Sequence, residues 1–209
     1  EDGKIVTLRE ISSMNFRVAR SFPNISGDFV RQFYGDSLPS ILLSGAPMSG
    51  KTTFLKDIVA ALSSGKAGRY RKVVVIDERG ELGAVYSGAP QIELGPCTDV
   101  LTGYPKGEGM NIALRTLSPE LIVCDEIGGE AEADAIRMSL NAGTAVLATA
   151  HAGNLDALVR RPQIRALIEE GAFDYLVQLR GQEAPCQIRE VRRMGEALKD
   201  SPAGGIQVC

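Results

Sequence analysis

Residues 41–53 read ILLSGAPMSGKTT, an apolar run followed by a complete GxxxxGK(S/T) pattern. The pattern follows an expected strand at Ile41–Leu43 and precedes an expected helix at Thr52–Leu62, which is the context of a phosphate-binding loop. Glycines let such a loop turn its N–H groups toward phosphate oxygens, and the helix N-terminus adds the positive end of its dipole. The alternative is a glycine-rich turn that binds nothing. The predicted nucleotide-binding residues are Gly45, Ala46, Pro47, Met48, Ser49, Gly50, Lys51, Thr52 and Thr53.

Two side chains of this loop have specific expected contacts. We expect Lys51 to reach the β- and γ-phosphates and the Thr52 hydroxyl to bind Mg²⁺. A site of this kind needs a carboxylate at the end of a neighbouring strand, and the apolar run Leu121–Cys124 ends in Asp125 and Glu126. We expect Asp125 to hold Mg²⁺, usually through water, and Glu126 to polarise the attacking water as a general base.

Two more strand ends carry polar side chains. The run Val73–Ile76 is followed by an acidic stretch that contains Glu78 and Glu81, and the only histidine, His151, follows the run Ala145–Ala148. The acidic stretch is either part of the site or a charged loop at the sheet edge, and His151 is either a γ-phosphate sensor or an ordinary surface or core residue. Ligands of open parallel sheets bind at the carboxyl ends of the strands. The side chains expected to converge there are Thr52, Glu78, Asp125 and His151.

Short apolar runs of strand length alternate with segments of helical periodicity. The runs are Ile41–Leu43, Val73–Ile76, Leu121–Cys124 and Ala145–Ala148, and the helical segments are Thr52–Leu62 and Glu130–Asn141. Strands that are apolar on both faces and alternate with helices indicate an α/β fold, with a mostly parallel central sheet and helices on both faces. Near the C-terminus, Tyr175–Leu179 and Gln187–Val191 flank a turn-rich stretch and predict an antiparallel hairpin that closes the sheet.

The first 38 residues have a different pattern, which predicts a lead-in segment. Alternation of apolar and polar residues predicts a half-buried strand there. The expected strand residues are Met14, Phe16 and Val18, with Val6 and Leu8 in a partner strand. A short helix is expected at Ser26–Tyr34, with Ser26 as its cap. The sequence thus divides into the lead-in at 1–38, a nucleotide-binding domain at 39–195 and a disordered tail at 196–209.

Composition excludes several classes of protein. The chain has 209 residues, a net charge of −3 and 44% hydrophobic residues. These values argue against an intrinsically disordered chain, and no apolar run approaches the ~20 residues that cross a bilayer, so we expect no direct membrane insertion. Near-neutral charge and few aromatic residues argue against a nucleic-acid partner.

The four cysteines lack metal-ligand spacing, which suits a reducing cytosol. Because the chain opens on Glu1, we expect it to be the catalytic module of a longer protein.

The order of the motifs resembles that of the RecA-like ATPases that power type II and type IV secretion and pilus systems. Their series is a phosphate loop, an acidic box, a second acidic strand and a histidine box, which correspond to residues 45–52, 77–81, 121–126 and 148–151. Residues 113–127 are similar to the segment that leads into their second acidic strand, with Arg115 at a characteristic position. Within this group the chain resembles a sporulation branch from endospore-forming bacteria, over about residues 8–195. That likeness is carried by residues 11–20, 77–82, 88–91, 98–101 and 105–110.

The resemblance implies a P-loop ATPase that uses ATP with Mg²⁺ and forms a ring, expected to be a homo-hexamer, with nucleotide at the subunit interfaces. It implies that the protein energises a secretion-like channel complex between mother cell and forespore, with membrane channel proteins as partners. The implied location is the cytoplasm, beside a membrane complex in the mother cell. Arg17, Arg20 and Arg115 are either surface ion-pair residues or arginines that complete a neighbour's site, a contribution of about 10³–10⁵ in rate. We therefore expect isolated monomers to hydrolyse ATP very slowly.

Several alternatives stay open at the level of sequence. The catalytic carboxylate is Glu126 or a member of the Glu78/Glu81 box, because the secretion relatives draw it from the acidic box. The protein is either an ATP-hydrolysing motor or a nucleotide-gated scaffold that binds ATP with little hydrolysis; a nucleic-acid motor fits the net charge of −3 least well. Met48 stands where the family often has glycine, and Gly129 stands where an arginine is expected.

Overall fold

The computed structural model describes residue 10, residues 12–14 and residues 22–194. Over this part of the chain, strands and helices alternate in an α/β arrangement. The strands are β1 (Ile41–Gly45), β2 (Val73–Asp77), β3 (Thr98–Thr102), β4 (Leu121–Cys124), β5 (Ala145–His151), β6 (Tyr175–Leu179) and β7 (Ile188–Arg193). The helices are α1 (Gly27–Tyr34), α2 (Lys51–Ser63), α3 (Lys106–Thr116), α4 (Glu130–Asn141), α5 (Leu155–Val159) and α6 (Pro162–Glu169).

The strands form one sheet in the order β3-β2-β4-β5-β1-β6-β7. All neighbouring pairs in it are parallel except β6 and β7, which are antiparallel. The register pairs Gly45 of β1 with His151 of β5, and Cys124 of β4 with Ala148 of the same strand. Because the parallel strands point the same way, the residues that follow β1, β2, β4 and β5 lie along one edge of the sheet.

Alternating side chains of each strand enter two separate cores, one on each face of the sheet. In β1, Ile41 and Leu43 pack with α1 and α2, whereas Leu42 packs with α3, α4 and α6 on the other face. In β4, Val123 joins the first core and Cys124 the second. Burial raises the pKa of the Cys124 thiol to about 12, so this cysteine is a neutral core residue. Helices therefore cover both faces, as the apolar runs predict.

The sequence predictions for the central elements are confirmed. The expected strands are present, and β1, β2 and β5 each extend further toward the site than their apolar runs. The α2 helix is one residue longer at each end than expected, and α4 has the expected bounds. The C-terminal hairpin is present as β6 and β7, with β7 beginning one residue later and ending two residues later than expected.

Strand β3 and the helices α3, α5 and α6 are not predicted from the sequence. Strand β3 is only partly buried and lies at an edge of the sheet, so it lacks the continuous apolar run of the central strands. Helix α3 contains Gly107 and Gly109, which lower helix propensity. A Cβ atom on Gly107 would lie 2.8 Å from the carbonyl oxygen of Ala131 at the start of α4. Glycine at this position therefore allows α3 and α4 to approach closely.

The lead-in segment is confirmed in part and corrected in one detail. Helix α1 begins at Gly27, and its aromatic residues Phe29 and Phe33 pack beside α2. Ser26 occupies the N-cap position without forming a cap hydrogen bond, because its hydroxyl donates instead to Asp57 in α2 at 2.6 Å. The strand expected around Phe16 and Val18, its partner and the C-terminal tail lie outside the described residues. The division into lead-in, domain and tail stays a prediction. Over the described ranges, each helix is too short or too polar to cross a lipid bilayer.

Candidate functional site

The loop of residues 45–50, which the sequence predicts to bind phosphate, joins β1 to α2 and has an unusual backbone at two positions. Gly50, at the N-cap of α2, has a φ angle of 85°, in the left-handed region that favours glycine. Met48 has a φ angle of 63° and an exposed side chain. Glycine is the residue that adopts this conformation most easily, so Met48 holds a backbone conformation that favours glycine.

Lys51 lies at the first position of α2 and points back over the loop. Its ammonium group donates to the carbonyl oxygens of Gly45 at 2.9 Å and Ala46 at 3.1 Å. Burial lowers the pKa of Lys51 below its ordinary 10.5, and the nearby carboxylates of Asp125 and Glu126 act in the opposite direction. A positive charge is thus held at the mouth of the loop, partly shielded from water.

Asp125 connects α2 with the neighbouring strands. One carboxylate oxygen accepts a hydrogen bond from the Thr52 hydroxyl at 2.8 Å, and the other accepts one from the hydroxyl of Thr149 in β5. The Thr149 oxygen also accepts the backbone N–H of Glu126 at 2.8 Å. Thr149 is fully buried, so one side chain of β5 orients both acidic residues that follow β4. Hydroxyl and carboxylate oxygens are ligands that Mg²⁺ prefers, so Thr52 and Asp125 suit that ion.

Glu126 and His151 form a short polar chain with Lys51. The Nδ1 atom of His151 lies 3.0 Å from Lys51 Nζ, and its Nε2 atom lies 3.5 Å from a carboxylate oxygen of Glu126. Because an ammonium group has only donors, Nδ1 must accept, which leaves the proton of a neutral ring on Nε2, toward Glu126. The other Glu126 oxygen accepts from Arg79 at 3.2 Å. The carboxylate is therefore held between a guanidinium and an imidazole.

The acidic stretch after β2 contains residues of different kinds. Asp77 is buried, and its carboxylate accepts the backbone N–H groups of Glu81, Leu82 and Gly83 at 2.8–3.1 Å. Asp77 therefore shapes the loop that follows β2. Glu78 lies 3.2 Å from the ammonium group of Lys106, whose side chain is 9% exposed.

A cavity of about 850 Å³ lies beside the loop and brings most of the expected residues together. Its polar lining comprises Lys51, Thr52, Thr53, Arg79, Glu81, Asp125, Glu126 and His151. Glu78 lines a smaller adjoining cleft together with Asp125 and Glu126. Arg115 lies elsewhere, exposed on α3 beside Asn111 and Asp134, so it does not reach the cavity of its own chain. Arg17 and Arg20 lie outside the described residues.

Three residues that shape the site are not predicted from the sequence: Thr149 as an orienting residue, Lys106 as the partner of Glu78, and Cys186. Cys186 lies in the loop between β6 and β7, where its N–H donates to the Ser49 carbonyl at 2.8 Å and its sulfur contacts the Gly50 carbonyl at 3.5 Å. For Cys186 the sequence carries part of the signal, because it predicts the β6–β7 hairpin at the correct place. Which loop its turn would touch depends on the order of strands in space.

The fold is shared with solved secretion and pilus ATPases. The VirB11 ATPase of the Brucella suis type IV secretion system, solved in complex with sulphate, matches with a TM-score of 0.56 and 19% identity, covering 79% of this chain and 51% of that one. The pilus retraction motor PilT, solved with bound ADP, matches with a TM-score of 0.53 and 15% identity, covering 80% and 50%. Together with the mostly parallel sheet, these matches define a RecA-like fold.

The family is shown by sequence. The profile of "Sporulation stage III, protein AA" matches residues 1–198. Stage III sporulation protein AA of Bacillus subtilis strain 168 is 35% identical over 211 residues, covering 100% of this chain and 68% of that protein. The chain belongs to the sporulation stage III protein AA family. It spans about two thirds of the Bacillus relative and about half of the two solved ATPases.

Proposed function

We propose that the chain is a Mg²⁺-dependent ATPase that hydrolyses ATP to ADP and phosphate. The observation that carries this proposal is the meeting of Lys51 and Thr52 with Asp125, Glu126 and His151 along one cavity. A phosphate loop alone would support binding. An acidic pair fixed beside the loop adds groups that suit a metal ion and an attacking water.

Each side chain of the loop has a role in this proposal. Lys51 turns its ammonium group from the Gly45 and Ala46 carbonyls to the β- and γ-phosphates, where it offsets negative charge. Thr52 and Asp125 hold Mg²⁺, which when bound neutralises charge on the phosphate oxygens. His151, in contact with both Lys51 and Glu126, is positioned to report the γ-phosphate to the carboxylate.

Glu126 is the better candidate for the general base. Its side chain is 42% exposed, it lines the main cavity, and Thr149 fixes its backbone. Both carboxylates have a cationic partner, Arg79 for Glu126 and Lys106 for Glu78, but Glu78 lines only the adjoining cleft. Glu81 also lines the main cavity and is the second candidate from the acidic box.

Paired substitutions test this assignment. In Glu126→Gln we expect turnover to fall by about 10²–10⁴-fold while ATP binding is retained, because the amide cannot take a proton. In Glu78→Gln we expect a smaller loss, because the change affects an ion pair beside the cavity rather than the water itself. Phosphate release and ATP affinity are measured for both variants. Full turnover in Glu126→Gln would contradict the assignment and direct the same test to Glu81.

For the whole protein we propose a homo-hexameric ring, located in the cytoplasm beside a membrane channel complex of the mother cell, to which ATP hydrolysis supplies energy during endospore formation. Family membership and the fold of secretion ATPases support this proposal. The alternative, a scaffold that assembles on ATP, requires binding without phosphate release by the assembled protein. A nucleic-acid motor is tested by filter binding to single strands at low salt.

A further inference from the structure

Arg79, in the acidic stretch after β2, lines both the main cavity and the adjoining cleft. Its guanidinium donates to a carboxylate oxygen of Glu126 at 3.2 Å, and its side chain is 64% exposed. The proposed hydrolysis uses the carboxylate of this ion pair as the general base. It leaves the guanidinium, which faces the same cavity, without a role.

The backbone on either side of Arg79 is fixed by contacts of its neighbours. The Asp77 carboxylate at the end of β2 accepts the backbone N–H groups of residues 81–83 at 2.8–3.1 Å. Glu78, directly before Arg79, is paired at 3.2 Å with the ammonium group of Lys106. The backbone of Arg79 is therefore held in place, whereas its exposed side chain is free to change rotamer, which takes only nanoseconds.

The charges of the cavity favour a change of partner for Arg79 when a triphosphate enters. Among the residues that the structure describes, the charged side chains of the lining are two cations, Lys51 and Arg79, and three carboxylates, Glu81, Asp125 and Glu126. A triphosphate adds negative charge to a lining that already has more carboxylates than cations, so both cations are drawn toward it. An exposed ion pair contributes little to stability, whereas guanidinium–phosphate bonds are charge-assisted and often bidentate.

The contact with Glu126 also indicates which phosphate Arg79 reaches. Lys51 lies 3.0 Å from His151, which lies 3.5 Å from one Glu126 oxygen, and Arg79 contacts the other oxygen. Arg79 thus approaches from β2, on the other side of Glu126 from the phosphate loop. If Glu126 activates the attacking water, a guanidinium beside Glu126 lies near the phosphorus that the water attacks, which is that of the γ-phosphate.

We propose that Arg79 is a catalytic residue, which leaves Glu126 and binds the γ-phosphate when ATP enters the cavity. The inference rests on the proposed function, since it takes Glu126 as the general base. Once Arg79 has turned away, the Glu126 carboxylate is free to accept a proton from water. The water oxygen then bonds to the γ-phosphorus, the bond from phosphorus to the bridging oxygen of ADP breaks, and the water proton passes to Glu126. Arg79 stabilises the charge on the transferred phosphate oxygens.

Affinities of the full chain for a slowly hydrolysed ATP analogue and for ADP, together with ATP turnover, test the proposal. In Arg79→Ala we expect the analogue to bind about 10- to 100-fold more weakly, because a charged hydrogen-bonding partner of the γ-phosphate is lost. ADP has no γ-phosphate, so its affinity should stay within about threefold of the wild-type value. We expect kcat to fall by at least about tenfold. Arg79→Lys keeps the charge without the planar fork and should lose less of both.

Arg69→Ala is the matched control. Arg69 is also 64% exposed and pairs with a carboxylate, that of Glu120, at 3.1 Å, but it lines neither the main cavity nor the adjoining cleft. This variant removes an ion pair of the same kind and exposure at another place. It should change neither affinity and leave turnover as in the wild type.

The ratio of the two affinities separates a contact with the γ-phosphate from a structural role. Equal losses of analogue and ADP binding in Arg79→Ala, or no loss of either, would overturn the contact. Turnover above that of the wild type would also overturn it, because Arg79 would then only restrain Glu126. A wild type that binds the analogue without hydrolysing ATP would overturn the proposed function, and the affinity ratio would still decide the contact. A wild type that binds neither ligand would overturn both.

Discussion

The hydroxyl group of Thr149 forms two hydrogen bonds that position the acidic residues of this site. It donates to Asp125 and accepts the backbone N–H of Glu126, so it links β5 to both residues that follow β4. Glu126 has a φ angle of 51°, a conformation that is costly for a residue with a side chain. The hydrogen bond from its N–H to Thr149 helps to hold that backbone in place.

Replacing Thr149 with valine keeps the shape of the side chain and removes both hydrogen bonds. We expect Thr149→Val to lower kcat by about 10- to 100-fold through misplaced carboxylates, and to cost about 1–3 kcal/mol of unfolding free energy because the Glu126 N–H loses its partner. Turnover and chemical denaturation measure the two effects. Thr144→Val is the control, since Thr144 is buried and its hydroxyl donates to the Pro119 carbonyl at 3.3 Å, outside the cavity lining. It should lose stability and keep kcat; a normal kcat in Thr149→Val would contradict this role.

The protonation of Lys51 gives the site a pH dependence at alkaline pH. Burial lowers the Lys51 pKa below 10.5 in the free protein, whereas phosphate oxygens favour the charged form and raise it on binding. A group whose pKa is raised by a ligand takes up a proton when the ligand binds. We therefore expect ATP affinity to fall as the pH rises above neutrality. The fall should begin below pH 10.5, which is the ordinary pKa of a lysine side chain.

Lys51→Arg separates this effect from other alkaline titrations. Arginine stays charged over the whole range, so the variant should show a flatter pH profile even if its affinity is lower at neutral pH. Calorimetry of ATP binding in buffers of different ionisation enthalpy measures the proton uptake directly. Equal pH profiles in wild type and Lys51→Arg would show that Lys51 is not the titrating group.

At the scale of elements, α3 determines where Lys106 lies relative to Glu78. The helix begins at Lys106 and contacts α4 through Gly107. We expect Gly107→Ala to destabilise the fold by about 1–3 kcal/mol, because the added methyl group would lie 2.8 Å from the backbone of Ala131. Denaturant unfolding measures this, with Gly128→Ala as the control, since a Cβ atom at Gly128 meets nothing within 4 Å. A stabilised Gly107→Ala variant would show that helix propensity outweighs the contact.

The elements that sequence could predict are those whose own residues carry the signal. Strands β1, β2, β4 and β5 are buried on both faces and appear as continuous apolar runs. Strand β3 pairs on one side only, and α3 contains two glycines that its packing requires. For such elements the tertiary contact overrides the local propensity.

The same distinction applies to the site. Lys51, Thr52, Asp125 and Glu126 are recognisable because each belongs to a local pattern with a known chemical reason. Thr149, Lys106, Cys186 and Asp57 act through contacts with residues far away in the chain. For Thr149 and Cys186 it is the strand order, which places β5 between β4 and β1 and β6 on the other side of β1, that brings these partners together.

At the scale of the whole molecule, the arginine of α3 does not reach the cavity of its own chain. Arg115 is exposed and lies away from the cavity, so any contribution to catalysis must be to another subunit's site. Arg79, by contrast, already contacts Glu126 within the same chain. A ring of subunits would supply Arg115 in trans, and turnover would then depend on assembly.

The ATPase proposal is tested most directly by phosphate release from ATP. Release is measured across a protein concentration series, with and without Mg²⁺, for wild type and Lys51→Ala. We expect Mg²⁺-dependent release by the wild type, at a rate per chain that rises with concentration as subunits assemble. In Lys51→Ala we expect a loss of at least about 100-fold, because the phosphates lose their main cation. Wild-type release no greater than that of Lys51→Ala at every concentration, despite ATP binding, would contradict hydrolysis and leave the nucleotide-gated scaffold.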